Sequence, residues 1–398
     1  MSGPLEGVRV LDIATILAAP LSGTLLADYG AEVVKVEMPG PGDGLRGFPP
    51  RKDGQSLWWK AANRNKRFIT LDFHKPEGVD LLLKMLPNFD AILENFRPGT
   101  LDRWGLTKER MWEANPNLVI MRATAFGQTG PYRDRRGFAR VFEAMSGLTY
   151  MTGDPDSTPM QSGYPIGDAI GGMFAVTSVL AALLGVARGT IKGGEEIDLS
   201  LTEATFRLLD SQTIAYDQTG EIAERSGNKS YYSAPANVFQ SKDGKFLALA
   251  GSTDAIFRSN AKAIDRADLL EDERFSSNVK RVENRAAIEQ IFSDWFAAHT
   301  QEEAVEAFVR ENGTLVPIYA INQIYEDEQF KAREAIVPVP DDDYGEVKMQ
   351  AVVPKFRNHP GKVRHSARSI GADNAAVYGE YLGLDEGALA KLKDDGVI

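Results

Sequence analysis

The sequence PIGD at residues 165–168 places a carboxylate directly before a long apolar segment. An aspartate in this position is commonly an N-cap or first-turn acid, which the positive end of a helix dipole stabilises. A carboxylate can also act as a nucleophile, because it attacks an activated acyl carbon to form a mixed anhydride. The flanking Gly167, Gly171 and Gly172 would let a ligand approach the helix amides closely, and those amides could stabilise an oxyanion. The residues alone leave both roles open for Asp168.

Basic residues cluster in a chain that is otherwise acidic, with 45 Lys and Arg against 56 Asp and Glu and a net charge of −11. The clusters lie at NRNKR (63–67), at Arg97 and Arg103, and at RDRRGFAR (133–140). Solvated loop charge is the simplest interpretation of any one cluster. The alternative is capture of phosphates, which the guanidinium fork suits. We therefore expect a phosphorylated small molecule as a ligand, and neither nucleic acid nor an anionic membrane, which need a basic surface.

Several kinds of site are excluded by composition. The chain has no cysteine, so it has no disulfide, no thiolate nucleophile and no Cys-ligated zinc. The four histidines lack metal-ligand spacing, so neither a His-based zinc site nor Ser–His catalysis is expected. The N-terminal sequence MSGPLEGVRVLDI shows no basic region followed by an apolar one, so we predict no secretory signal and a cytoplasmic location.

Short apolar segments alternate with helical patterns in the N-terminal part of the chain. The predicted strands cover 8–13, 31–37, 89–96 and 117–126. One predicted helix begins at Pro20, and a second covers 76–86. This alternation predicts an α/β fold, a Rossmann-like parallel sheet with crossover helices. The loop after the first strand reads ATILAAP instead of G-x-G-x-x-G, so a dinucleotide such as NAD is not expected.

The character of the sequence changes near residue 225. We predict a large domain over 1–224, a smaller α+β domain over 225–330, and a final segment over 331–398 with short strands and a last helix. In the smaller domain, Asp243-Gly244 indicates a hairpin turn, and Thr300 with Glu303 indicates a capping box.

Two stretches of the large domain are harder to assign. Residues 127–168 are rich in turn-forming residues and are predicted to be mostly loop. Residues 170–187 carry no charge and reach the length of a membrane span. Because this run is single and has no aromatic belt, we predict a buried core helix.

Taken together, these residues resemble the family III CoA-transferases, the CaiB/BaiF or formyl-CoA transferase type. The matching stretches are PLEGVRVLDIATILAAP, LLADYGAEVVKVEMPGPGDGLR, NRNKRFITLD, ILENFRPG, FGQTGPY, EAMSGL, GDAIGGMFAV, EEIDLSLTEA and KLKDDGVI. Their order and spacing are specific, although each motif alone is only moderately so. The resemblance implies a Rossmann-like large domain that the C-terminal segment completes, and a ring-like chain in an interlocked homodimer.

The resemblance also implies a mechanism and a set of contacts. Asp168 would attack the donor thioester to give an aspartyl–acyl anhydride, become an aspartyl-CoA thioester, and pass CoA to an acceptor carboxylate. CoA and acyl-CoA are substrates in this scheme, with no metal and no tightly bound cofactor. The implied CoA contacts are Ile16, Ala18, Leu71, His74, Asn95, Phe96, Arg97, Arg103, Arg136 and Phe138.

The chain departs from the formyl-CoA transferase pattern at several positions. Met38 stands where that subgroup has a CoA-binding arginine, Leu17 replaces a glutamine, and Ala139 replaces a glutamate. These losses argue against oxalate as a substrate. Arg140 adjoins the altered position, and it could pair with the second carboxylate of a dicarboxylic acid.

Two alternative functions stay open. An α-methylacyl-CoA racemase needs a histidine base opposite an aspartate, but the corresponding stretch here is Gly137-Phe138-Ala139, with no histidine nearby. A non-catalytic acyl-CoA-binding protein would not need the carboxylate of Asp168. The residues therefore favour a transferase.

Overall fold

The computed structural model describes residues 3–398, and these form two compact units. The first unit comprises the chain up to Leu148, Gln161–Gly220 and Lys331–Ile398; the second comprises Thr149–Met160 and Glu221–Phe330. Thr149–Met160 therefore groups with the second unit, although the sequence analysis assigned it to the large domain.

The strands are β1 (Arg9–Asp12), β2 (Glu32–Glu37), β3 (Arg51–Lys52), β4 (Gln55–Ser56), β5 (Arg67–Thr70), β6 (Ala91–Glu94), β7 (Val119–Thr124), β8 (Glu195–Ser200), β9 (Asn237–Gln240), β10 (Phe246–Leu249), β11 (Leu315–Pro317), β12 (Ile336–Asp341) and β13 (Gly345–Gln350). The helices are α1 (Ala18–Asp28), α2 (Leu57–Ala62), α3 (Pro76–Met85), α4 (Thr100–Arg103), α5 (Lys108–Ala114), α6 (Ala139–Met145), α7 (Leu148–Met151), α8 (Ile166–Ala187), α9 (Leu201–Phe206), α10 (Asp210–Thr219), α11 (Asp254–Ala263), α12 (Asn278–Glu283), α13 (Arg285–Ala298), α14 (Gln301–Arg310), α15 (Ile321–Glu326), α16 (Glu328–Ala332), α17 (Asn374–Leu382) and α18 (Glu386–Asp394).

The first unit is built on a six-stranded parallel sheet with the order β5-β2-β1-β6-β7-β8. Alternate residues of a strand point to opposite faces, so Leu11 packs in one helical layer and Val10 in the other. Helices α3 and α17 cover the first face, and α1 and α8 cover the second. Because both faces are covered, the central strands β1, β6 and β7 are buried at every position after Arg9, as is usual in parallel sheets. The predicted α/β class is confirmed.

The C-terminal segment covers the edge strand β5. Asp373 accepts a hydrogen bond from the backbone amide of Phe68 at 2.8 Å, and Asn374 accepts one from Thr70 at 2.9 Å. Tyr378 then donates its hydroxyl hydrogen to the carbonyl of Thr70 at 2.7 Å. These contacts satisfy the outer polar groups of an edge strand that would otherwise be free to pair with another chain.

Helix α8 is long and apolar enough to cross a membrane by length and composition, but one of its faces packs inside the first unit. Ala175 and Val179 are buried between the helix and the sheet, whereas Met173 and Leu184 are about half exposed. The predicted core helix is therefore buried on one side only, and an apolar stripe remains on its other side.

The second unit combines the antiparallel sheet β11-β10-β9 with helices that surround an aromatic core. The predicted hairpin is present, and Gly244 adopts a φ of 76° at its turn. The capping box is confirmed as well, because Thr300 and Glu303 each accept a backbone hydrogen bond from the other.

A group of charged side chains is fully buried beneath the first loop. The Lys66 ammonium lies 2.8 Å from a carboxylate oxygen of Asp12 and also donates to the carbonyl of Pro20. The ammonium of Lys35 lies 3.7 Å from Asp12 and 3.1 Å from Asp43. Burial lowers the pKa of Lys66 to about 8, although Asp12 opposes the shift. The carboxylate of Asp12 thus compensates two cations that have no access to water.

We predict that Asp12→Asn destabilises the protein by about 3–5 kcal/mol, because the substitution removes the carboxylate paired with the buried ammonium of Lys66, whereas Lys35 keeps Asp43. Urea unfolding measures the change in free energy. Asp80→Asn is the matched control, since Asp80 forms an exposed ion pair with Arg110 and should contribute little. Equal stability of the two variants would show that Asp12 does not stabilise the buried group.

Candidate active site

A cavity of about 460 Å³ lies at the carboxyl ends of the parallel strands. The chain proceeds from β1 to β2 and β5 on one side and then returns to place β6 on the other side of β1. Ligands of open α/β sheets bind at such a reversal of strand order, in the crevice beyond the strand ends. The loops after β1, β6 and β7 line this cavity together with the start of α8. We call it the larger cavity.

The loop after β1 is held in an unusual conformation. Ile16 has a φ of 68°, which is a strained value for a β-branched residue. Its amide donates to the carboxylate of Asp43 at 3.0 Å, and Asp43 is held in turn by Lys35. The side chain of Asn95 exchanges two 2.7 Å hydrogen bonds with the backbone of Thr15. These contacts stabilise the strained loop that borders the larger cavity.

Asp168 lies on the first turn of α8, where the helix dipole favours a negative charge. Its carboxylate does not cap the helix, and among residues 3–398 no side chain or amide is within hydrogen-bond distance of it. Burial, and then the nearby carboxylate of Glu143, raise the pKa of Asp168 to about 7. Of the two structural roles considered above, the N-cap is therefore wrong, and the first-turn acid is confirmed. The carboxylate instead borders the cavity with its oxygens available.

Glu143 connects α6 to the start of α8. It is buried, and its Oε1 accepts a hydrogen bond from the amide of Gly167 at 2.8 Å. A Cβ atom at Gly167 would lie 2.5 Å from the ring of Phe142, and one at Gly171 would lie 2.2 Å from Leu201. These glycines therefore serve the close packing of α8 against its neighbours, whereas the sequence analysis assigned them to ligand approach.

A second cavity of about 260 Å³ adjoins Asp168, and we call it the smaller cavity. The aromatic side chains of Phe48, Trp58 and Tyr164 line it. Ile16, Leu17, Phe138 and Asp168 line both cavities. The carboxylate of Asp168 therefore stands where the two spaces meet. A ligand with a long anionic part and a short tail could occupy both cavities at once.

The arginines that line the larger cavity differ in whether another residue of the chain contacts their guanidinium group. Arg97 donates to the carbonyl of Asp134, Arg133 lies 3.5 Å from the carboxylate of Asp134, and Arg135 stacks 3.6 Å from the ring of Tyr132. Within the described chain, Arg136 has no carboxylate within ion-pair distance, and it lines the same cavity. The cluster therefore offers positive charge to an anionic ligand.

The structure brings many of the predicted residues together and separates others. Ile16, Leu17, Ala18, Asn95, Phe96, Arg97, Arg136, Phe138, Ala139, Arg140 and Asp168 line one or both cavities. Leu71 is fully buried in the core, and the exposed His74 pairs with Asp72 instead. Arg103 donates to Thr100 and also lies outside both linings.

Sequence reasoning missed Glu143, Asp43 and the aromatic wall of the smaller cavity. It also predicted loop over 127–168, where the structure has α6 with Ala139, Arg140 and Glu143 on it. Glu143 stands in the EAMSGL stretch, so a signal for it was present. Among residues 3–398, no group of three or more potential metal ligands is close enough to hold an ion.

Comparisons with known proteins agree on one family. The model of CoA-transferase family III matches residues 5–374. The chain is 40% identical to succinyl-CoA–D-citramalate CoA-transferase of Chloroflexus aurantiacus, over 99% of this chain and 98% of that one. It is 34% identical to succinate–glutarate CoA-transferase of Agrobacterium fabrum, over 83% and 84%. The crystal structure of a CaiB/BaiF family protein from Brucella suis has a TM-score of 0.84 and 31% identity, covering 96% of this chain and all of that one.

We predict that Glu143→Gln lowers the pKa of Asp168 below its present value of about 7, because the substitution removes a nearby negative charge. The variant keeps an oxygen that can accept the Gly167 amide. Infrared difference spectra against Asp168→Asn would follow the protonated carboxyl band with pH. Glu195→Gln, an exposed change on β8, is the control. An unchanged midpoint in Glu143→Gln would contradict this electrostatic coupling.

Proposed function

Because the chain belongs to CoA-transferase family III, and is therefore a CoA-transferase, we propose that Asp168 is the nucleophile through which it passes CoA from an acyl-CoA donor to a carboxylic acid. The observation that carries the proposal is the position of this carboxylate. It lies at the junction of a cavity with several arginines and a smaller aromatic one, and no residue of the described range 3–398 donates a hydrogen bond to it.

The proposed reaction begins with attack of an Asp168 oxygen on the thioester carbon of the donor. The carbon–sulfur bond breaks, CoA leaves as a thiolate, and an aspartyl–acyl anhydride remains. The thiolate then attacks the side-chain carbonyl of Asp168, which releases the donor acid and leaves an aspartyl-CoA thioester. An acceptor carboxylate attacks that thioester, the carbon–sulfur bond breaks, and a second anhydride forms while CoA leaves again as a thiolate. Attack of the CoA thiolate on the acceptor acyl carbon yields the new acyl-CoA and frees Asp168.

The environment of Asp168 suits such a nucleophile. A buried carboxylate with a raised pKa is poorly solvated and more basic than one in water, so its attack on an acyl carbon is favoured. Helix α8 directs its amino end toward the same place and would stabilise negative charge that develops there. No external base is needed, since the nucleophile is an anion once it is deprotonated.

The larger cavity suits the CoA portion. Ile16, Ala18 and Phe138 present apolar surface for the pantetheine, and the arginines present positive charge for the phosphates. Arg136 is the strongest candidate among these, because its charge is not paired within the described chain. Leu71, His74 and Arg103 lie outside the cavity lining, so any contact they make with CoA would be peripheral.

We propose short dicarboxylic acids as the substrates. The curated relatives named above act on succinyl-CoA, citramalate, succinate or glutarate, all of which carry two carboxyl groups. The smaller cavity is below the roughly 300 Å³ of pockets that hold drug-sized ligands, so it suits a short acyl group.

A racemase is less well supported. Proton exchange at the α-carbon needs a base opposite Asp168, and no histidine lines either cavity within residues 3–398. Glu143, the other carboxylate there, is engaged with the amide of Gly167. A binding protein without activity would not need the raised pKa of Asp168.

We further propose that the protein is a homodimer. The apolar stripe of α8 that contains Met173 and Leu184 is exposed in the single chain, and Ile214 and Tyr216 of α10 are more than half exposed. Large apolar side chains that are exposed on two helices favour an interaction surface.

We predict that Asp168→Asn abolishes CoA transfer and leaves CoA binding within a few-fold of the parent. Exchange between acyl-CoA donors and free acids, followed by mass spectrometry, measures transfer; calorimetry measures binding. In the parent protein, hydroxylamine should trap the acyl intermediate as a hydroxamate on the peptide that contains Asp168.

Transfer by Asp168→Asn at the parental rate would overturn the nucleophile. Incorporation of deuterium at the α-carbon in deuterated water, with no acceptor acid present, would instead favour the racemase.

We predict that light scattering gives twice the mass of one chain in solution. The chain has no cysteine, so a single introduced thiol can report on burial. The thiol of Leu184→Cys should react slowly with a maleimide, whereas that of Val279→Cys, on an exposed side of the second unit, should react quickly. An active protein with the mass of one chain would contradict the homodimer.

A further inference from the structure

The smaller cavity contains one cationic side chain among its lining residues, Arg140. The two carboxylates of the cavity, Glu143 and Asp168, have roles already described. The remaining walls are aromatic, apolar or neutral, as with Trp58 and Ser162. Because Arg140 is the cation of this lining, it can determine which ligand is accepted: a ligand without a matching anion would leave the guanidinium unpaired.

The guanidinium of Arg140 is fixed by a neutral partner. Its Nη1 donates to Oε1 of Gln161 at 2.7 Å, and Nε2 of Gln161 donates back to the carbonyl of Arg140 at 2.9 Å. Within residues 3–398, no carboxylate lies within ion-pair distance of this guanidinium. By contrast, Arg46 is neutralised by Glu37 at 2.7 Å. Arg140 is therefore positioned but keeps its full charge and most of its five N–H donors.

The position of Arg140 is coupled to that of the nucleophile. Arg140 and Glu143 lie one turn apart on α6, and Glu143 holds the amide that precedes Asp168. Ala139, next to Arg140, presents only a methyl group to the cavity. Helix α6 thus carries both the cation and the group that fixes the start of α8.

We propose that Arg140 is the specificity determinant that binds the distal carboxylate of a dicarboxylic substrate while the other carboxyl group reacts at Asp168. A guanidinium binds a carboxylate through paired hydrogen bonds, and Arg140 has donors available for this. The inference rests on the proposed function and adds to it the group that distinguishes diacids from monoacids.

The test compares two acceptors of equal chain length, glutarate and pentanoate, with one succinyl-CoA donor. Effects on the donor are common to both and cancel in the ratio of their kcat/KM values. In Arg140→Gln this ratio should fall by about tenfold to a hundredfold, as expected for the loss of a charged hydrogen bond. Arg140→Lys should recover part of the preference, and Gln161→Glu should reduce it by pairing with the guanidinium. Arg188→Gln, beyond the end of α8, should leave the ratio unchanged.

Each result has a clear meaning. An equal loss with both acceptors in Arg140→Gln, or a preference unaffected by Gln161→Glu, overturns the role of Arg140 and leaves the proposed transfer intact. A parent enzyme that uses pentanoate as efficiently as glutarate also overturns the role of Arg140 and leaves the proposed transfer intact. A parent enzyme that transfers CoA to no acid in a panel of short mono- and dicarboxylates overturns the proposed function itself.

Discussion

The buried carboxylate of Asp12 is the constraint on which the site depends. It stands at the end of β1 and compensates Lys66 and Lys35, which reach it from the neighbouring chain segments. Lys35 in turn holds Asp43, whose carboxylate accepts the amide of the strained Ile16. Breaking one of these buried ion pairs would leave an uncompensated charge next to the remaining buried side chains. The strained loop that borders both cavities is therefore stabilised by electrostatics beneath it and needs no ligand to hold its shape.

A second constraint acts from the other side of the cavities. Glu143 fixes the amide of Gly167, and the close contacts of Gly167 and Gly171 press α8 against its neighbours. Asp168 is thus held in place by backbone packing, and within residues 3–398 its own carboxylate accepts no hydrogen bond. The groups that hold the site in place are therefore different from the group that is proposed to react. The side chain that is proposed to become acylated carries no structural hydrogen bond that acylation would break.

Much of the fold followed from the sequence because its signals are local. Alternating apolar strands and helices predicted the parallel sheet, and Thr300 with Glu303 predicted a helix start. Helix α6 was missed, since seven residues after a loop rich in glycine and arginine show too little periodicity. The sequence indicated Asp168 but not Glu143, because the contact of Glu143 with the amide of Gly167 joins residues 24 positions apart. Asn95 was predicted to contact a ligand; it lines the larger cavity, and its side-chain amide is hydrogen-bonded to the first loop, a contact that the sequence did not indicate.

Charge pairing, more than charge itself, distinguishes the candidate binding residues. The chain has 45 basic side chains, and most motifs that contain them look alike in the sequence. In the folded chain Arg46 and Arg64 are neutralised by carboxylates and serve the structure. Arg136 and Arg140 line cavities without such partners in the described chain. Because both guanidinium groups are exposed at the cavities, an anionic ligand can pair with them there without displacing a carboxylate of the described chain.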